Sequence, residues 1–166
     1  MERVGVLVVS YGSREAAMVD AFRRSERYNV DLYVVDKQRN PFNLKRTKEH
    51  VVVPSLDLQT ICKFAKRFEN QIDFGIVGPE KPIIEGIRDL VEKETEIPII
   101  CPTKEYAIEG SKTAQRYLFQ EVVPEANPRF KVFDPKAYKN ISDVKKELCN
   151  WLDELDNRVA VKPDAP

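Results

Sequence analysis

Val4 to Val9 is an unbroken apolar run, Val-Gly-Val-Leu-Val-Val, closed by Ser10-Tyr11-Gly12-Ser13. A half-exposed strand alternates apolar and polar residues, so a short β-branched run without alternation marks a strand buried on both faces. The same signature returns at Val30–Val35, at His50–Val53, at Asp73–Val77 and at Pro98–Cys101. Helical patterns separate most of these runs. Arg14 to Arg27 carries Ala17, Val19, Ala21 and Phe22. The segment from Asp57 to about Asn70, capped by Ser55 or Asp57, carries Ile61, Phe64, Ala65 and Phe68. A further helix is expected over Pro82–Glu94. Asp36 to Lys48 is a polar, basic connection with Asn40-Pro41 as a turn signal. Strand and helix in alternation predict a parallel α/β sheet of five strands with helices on both faces, a Rossmann-like arrangement.

Beyond Pro102 the pattern changes. Thr103 to Phe119 reads as helical with a break at Gly110, and Val123 to Arg129 as a Pro-rich connector. Phe130 to Phe133 reads as a short strand. A helix capped by Ser142 runs to about Leu155, with Trp151 on its apolar side. Asp156-Asn157 is a turn, and Arg158 to Lys162 a last strand. The expected division is a domain over residues 1–102 and the beginning of a second over 103–166.

Composition excludes several classes. Lys plus Arg and Asp plus Glu both number 27, so the net charge of zero favours neither a nucleic-acid nor a membrane footprint. The longest apolar run is far too short to span a bilayer, and the Met-Glu-Arg start opens directly into a strand, so a cytoplasmic chain is expected. The cysteines, Cys62, Cys101 and Cys149, are odd in number and lack a CxxC spacing, against a disulfide framework or a zinc site. His50, the single histidine, reads as structural or as a surface residue. No Ser/His/Asp or Cys/His set assembles, and no catalytic residue is assigned.

Ligands of parallel sheets bind beyond the carboxyl ends of the strands. Two loops are expected at that edge: Ser10–Glu15 after the first strand and Gly78–Pro82 after the fourth. Gly12 and the Ser13 hydroxyl beside a helix start suit a phosphate, and Arg14 adds a cation. From pattern alone a plain strand-to-helix turn is an equal reading. The dinucleotide fingerprint needs glycine where Ser10 and Glu15 stand, which argues against a nicotinamide cofactor although Asp36 ends the second strand. Glu80, in Val77-Gly78-Pro79-Glu80, places a carboxylate where sugar hydroxyls can donate to it. By itself it reads more simply as a solvated turn residue.

Taken together, Val77-Gly78-Pro79-Glu80-Lys81-Pro82, Gly86-Ile87 with Asp89, Pro102-Thr103-Lys104 and Glu109-Gly110-Ser111-Lys112 resemble the most recognisable stretch of phosphoribosylamine–glycine ligases. Gly12-Ser13-Arg14-Glu15-Ala16 is similar to the Gly-Gly-Arg-Glu-His loop after their first strand. Asn40-Pro41 and Val159-Ala160-Val161-Lys162-Pro163 resemble the archaeal branch. The resemblance covers nearly the whole chain, in order. It implies a Rossmann-like pre-ATP-grasp domain followed by the start of an ATP-grasp domain. The implied enzyme is an ATP-dependent ligase joining glycine to 5-phosphoribosylamine through a glycyl phosphate in purine synthesis, using Mg²⁺ or Mn²⁺. It also implies that Gly12, Ser13, Arg14, Glu15, Gly78, Pro79 and Glu80 face the phosphoribosylamine, and that Lys112 and Lys162 reach ATP.

Departures accompany it. Ser13 and Ala16 replace a glycine and a histidine, and the bacterial Ala-Pro-Gly-Asn-Ala-Gly stretch is absent. By the resemblance, the family's ATP-covering loop and metal-binding carboxylates would follow Ala165-Pro166, so this polypeptide is expected to be inactive alone: a truncated piece, a broken gene product, or one half of a split enzyme whose C-terminal half another chain supplies. The alternative is a stand-alone sugar-phosphate-binding or scaffolding module. Another ATP-grasp enzyme, such as a carboxylase or a formate-dependent transformylase, lacks this combination of motifs.

Overall fold

A computed structural model of the chain describes residues 1–164. The chain forms two compact units, Met1–Gly110 and Ser111–Pro166.

The first unit holds β1 (Glu2–Ser10), α1 (Ser13–Arg23), β2 (Tyr28–Asp36), α2 (Pro41–Leu44), β3 (Glu49–Val52), α3 (Leu58–Arg67), β4 (Phe74–Val77), α4 (Glu80–Glu85), α5 (Ile87–Glu94) and β5 (Ile99–Ile100). Every strand pair is parallel and the sheet order is β3-β2-β1-β4-β5. The expected five-stranded parallel sheet is therefore the fold. Its central strand, β1, shows why the run from Val4 to Val9 does not alternate. Val6 and Val8 join Leu32 and Val34 of β2 against Val19 of α1. Leu7 and Val9 join Tyr33 and Val35 on the opposite face, against Ile61 and Ala65 of α3 and Ile87 and Val91 of α5. Side chains two apart share a face, and here both faces are core.

The helices differ from the sequence reading at their ends. Asp57, not Ser55, caps α3, its carboxylate accepting from the Thr60 N–H at 2.9 Å. The single helix expected over Pro82–Glu94 is two, because Gly86 takes a left-handed φ of 96° and ends α4 before α5 begins. The polar connection after β2 contains α2, with Pro41 at its first turn and the Asn40 side chain accepting from the Phe42 N–H.

The second unit holds α6 (Lys112–Val122) and α7 (Ile141–Asp153). Ser111 caps α6, its hydroxyl accepting from the Ala114 N–H at 2.9 Å. Asn140 rather than Ser142 caps α7, accepting from the Asp143 N–H at 3.0 Å. Neither Phe130–Phe133 nor Arg158–Lys162 is a strand. A strand needs a neighbour to satisfy its N–H and C=O groups, and neither segment has one among the described residues. Trp151, read as core, is only half-buried and lies under the Arg129 guanidinium at 4.9 Å. No described residue of this unit with an assigned exposure is buried, and Tyr117, Val122 and Ile141 are largely exposed. Among the described residues no helix is long and apolar enough to cross a membrane.

Candidate functional site

Strand order places the site. From β1 the chain moves outward through β2 to β3, then crosses back to β4 on the other side of β1. The usual ligand position in such sheets is the crevice at the carboxyl edge where the loops leaving the strands diverge at such a reversal, here those leaving β1 and β4. Those loops carry Gly12–Glu15 and Gly78–Glu80, so the two segments singled out in the sequence meet at one place.

Glu15 organises them. It is 1% exposed, and its Oε2 accepts from the backbone N–H groups of Tyr11 at 3.2 Å and Gly12 at 3.0 Å. Its Oε1 accepts from Arg14 Nε at 2.9 Å. Burial pushes the carboxyl pKa up, but the Arg14 bond and the N–H groups of Gly12 and Tyr11 outweigh it and hold it below the ordinary 4.5. Part of the cradle expected for a phosphate is thus filled by an internal carboxylate. The sequence reading placed Glu15 among the substrate contacts; the fold turns it inward as the anchor of the loop.

Arg14 bridges the two loops. Its Nη2 donates to the Gly78 carbonyl at 2.6 Å, and both terminal nitrogens donate to Glu80 Oε1 at 3.3 Å. With Nε on Glu15, every nitrogen of the fork has a protein acceptor. The Arg14–Glu80 pair is half exposed on both sides, so water discounts it to below about 1 kcal/mol. Its effect is positional: the guanidinium links the β1 and β4 loops and aims Glu80.

Gly78 is glycine for lack of room. A Cβ there would lie 2.0 Å from Glu15 Oε1. Pro79 is buried and precedes the first turn of α4, while Glu80 opens that helix. Gly12 differs: a Cβ would meet nothing within 4 Å, so the space beside this glycine is open. Ser13 is exposed at the start of α1.

A second polar group lies under the same edge, at the ends of β1 and β2. Asp36 is 2% exposed and accepts from Asn43 Nδ2 at 3.0 and 3.1 Å, while His50 Nε2 lies 2.7 Å from its Oδ2. Asn43 and Ser10 are fully buried beside it, 3.5 Å apart. Asp36 is therefore enclosed, and its carboxylate braces α2 against β2 and β3. His50 is structural. Sequence reading misses Asn43, which sits in a polar stretch; the one signal was an acid ending a buried strand.

Lys112 and Lys162 belong to the second unit, Lys112 at the first turn of α6 and Lys162 exposed. Among the described residues no group of three or more His, Cys, Asp or Glu converges to hold a metal ion.

The comparisons with known proteins agree with this architecture. The family described as phosphoribosylglycinamide synthetase, N domain, matches residues 4–109. A phosphoribosylamine–glycine ligase of Methanopyrus kandleri is 34% identical over 159 residues, covering 95% of this chain and 33% of that protein. One of Pyrococcus furiosus is 33% identical over 162 residues, covering 96% and 33%. The chain thus spans about a third of the length of these curated relatives. Among solved structures, an N5-carboxyaminoimidazole synthetase of Staphylococcus aureus complexed with ADP superposes with a TM-score of 0.55 at 12% identity, over 90% of this chain and 37% of that one. The N5-carboxyaminoimidazole ribonucleotide synthetase of Thermotoga maritima gives 0.54 at 16%, over 88% and 36%. At such identity the likeness is one of fold. A family match over most of the first unit and relatives aligned along nearly the whole chain lead to one conclusion: the chain belongs to the phosphoribosylglycinamide synthetase N-domain family.

Proposed function

We propose that this chain provides the sugar-phosphate-binding part of an ATP-dependent ligase that joins glycine to 5-phosphoribosylamine. The observation that carries the reading is the meeting of Gly12–Glu15 and Gly78–Glu80 at the point where strand order reverses. In this reading Glu80, held by Arg14, accepts hydrogen bonds from ribose hydroxyls. Gly12 leaves space for the sugar ring, and the Ser13 side of the α1 start faces its polar groups. Fixing the sugar fixes its amine, which is the nucleophile that must reach the activated glycine; holding reactants in place supplies much of such a rate enhancement.

Bound ATP would supply the phosphoryl group that activates the glycine carboxylate, leaving ADP, and phosphate would be released when the amine attacks. Lys112 and Lys162 are of the chemical type that pairs with phosphate oxygens, and their proposed role is to hold ATP. A phosphoryl transfer also needs a metal; residues 1–164 assign it no ligand set. The chain spans about a third of its curated relatives, so the proposed activity is that of a whole enzyme of their length.

Calorimetric titration of the full chain with ribose 5-phosphate, a stable stand-in for the labile amine, tests the sugar site. Weak, saturable binding is the expected result. Glu80→Gln should weaken it about tenfold, the equivalent of one charge-assisted hydrogen bond of roughly 1.4 kcal/mol. Equal affinity of the variant and the parent removes Glu80 from the site.

A further inference from the structure

The crevice wall at Glu80 is a poor place for a phosphate. Two carboxylates, Glu15 and Glu80, share one guanidinium there, and each nitrogen of Arg14 already has a protein acceptor. The Tyr11 and Gly12 N–H groups point at Glu15. A phosphate placed on this wall would face excess negative charge and spent donors. The charged end of a sugar phosphate must therefore lie further along the same edge.

The other flank of β1 offers the opposite charge. The segment from Lys37 to Lys48 holds five cations and no acid: Lys37, Arg39, Lys45, Arg46 and Lys48. Two are committed, Arg46 near Asp20 at 3.8 Å and Lys48 to Asp31 at 2.9 Å. Lys37 is not. It directly follows β2, and its N–H donates to the Ser10 carbonyl at 2.9 Å, which ties it to the end of β1. Its Nζ sits 4.2 Å from the centre of the exposed Tyr11 ring. Arg39 is exposed two residues on. Asp36, the nearest acid in sequence, is buried and bonded to Asn43 and His50 rather than to Lys37.

Spacing completes the argument. The ends of β2, β1 and β4 are neighbours, so Lys37 and Gly78 stand two strand spacings apart, roughly 9.5 Å. The two residues thus flank the end of β1 from opposite sides, and a ligand held by both must lie across it. Gly12, at the middle of this path, has open space where a Cβ would point. Resting on the sugar-phosphate reading of the crevice, we propose that Lys37, with Arg39 beside it, is the phosphate-binding end of the site. The sugar phosphate then lies across the end of β1 with its hydroxyls on Glu80. Arg14 acts as a clasp between loops, without contact to the phosphate.

The test titrates the full chain with ribose 5-phosphate, ribose and inorganic phosphate, at low and at raised salt. The proteins compared are the parent, K37A, K37R, K37A/R39A and R14A. Both cations are exposed, and the fold of each variant is checked by urea unfolding. The double variant should lose at least tenfold in affinity for ribose 5-phosphate, together with most of the salt dependence, while ribose binding stays as in the parent. K37R should keep most of the affinity. Undiminished affinity and salt dependence in K37A/R39A, with loss of phosphate-dependent binding in R14A instead, would overturn the assignment and return the phosphate to the β4 side. A parent chain that binds none of the three ligands sinks the sugar-phosphate reading itself, which is a different result from a parent that binds and a double variant that binds equally well.

Discussion

Gly5→Ala should be among the most damaging single substitutions in this chain, lowering stability by about 3 kcal/mol or more. A Cβ at this position would lie 1.7 Å from the backbone carbonyl oxygen of Gln71 and 2.8 Å from its carbon. These are main-chain atoms, so no rotamer change relieves the overlap. The chain around Gln71 is also pinned. The Gly5 N–H donates to the Asp73 carboxylate at 2.7 Å, and the Asp73 N–H donates back to the Gly5 carbonyl at 2.8 Å. On its other flank Gly5 is in register with Asp31 of β2. Moving β1 away from Gln71 therefore strains the β1–β4 pairing that forms the crevice. Urea unfolding of the parent and the variant measures the effect as a lowered midpoint at similar slope. A loss below about 1 kcal/mol would show that the segment before β4 yields more easily than this packing implies.

The second large effect is expected at Glu15. Glu15→Ala leaves the N–H groups of Tyr11 and Gly12 and the Arg14 Nε without their acceptor. Unsatisfied donors at a partly buried turn cost about 1–3 kcal/mol each when water cannot replace the partner, so roughly 2–4 kcal/mol is expected after partial rehydration. Acid titration separates charge from shape. The folded carboxyl titrates below the ordinary 4.5, so its stabilisation is complete above that value and is lost as pH falls through the lowered folded pKa. Glu15→Gln keeps the shape and removes this titration. Stability of the parent should fall more steeply on acidification than that of the Gln variant. Parallel acid limbs would show that Glu15 contributes no charge-dependent stability.

The fold was readable because short β-branched runs without alternation, set between helical patterns, point to strands buried on both faces. Val4–Val9 and Val30–Val35 lie where their runs place them, inside β1 and β2. The convergence of the Gly12 and Gly78 loops follows from topology, since all carboxyl ends of a parallel sheet share one edge. What remained hidden depends on atoms brought together across the sequence. Arg14 and Glu80 are 66 residues apart, and nothing local reveals that the arginine spends its donors on protein acceptors. Glu15 looks like any first-turn glutamate until the approach of Gly78, at 2.0 Å from a notional Cβ, shows that the carboxylate is walled in. Asn43 reads as a loop residue, yet it and His50 complete a buried set around Asp36. Arg158–Lys162 carries strand-forming residues, but pattern gives propensity, not a partner, and Val161 stays 87% exposed.

The most direct test of the account is a residue-by-residue amide titration of the isotope-labelled chain with ribose 5-phosphate. Signals from Gly12, Ser13, Gly78 and Glu80 should move together along one saturable curve, joined by Lys37 if the sugar phosphate lies across the end of β1. Amides at the opposite edge of the sheet, such as Arg3, Asn29 and Asp73, should stay in place. Movement at that opposite edge while Gly12, Ser13 and Gly78 stay fixed would contradict the assignment of the crevice as the substrate site.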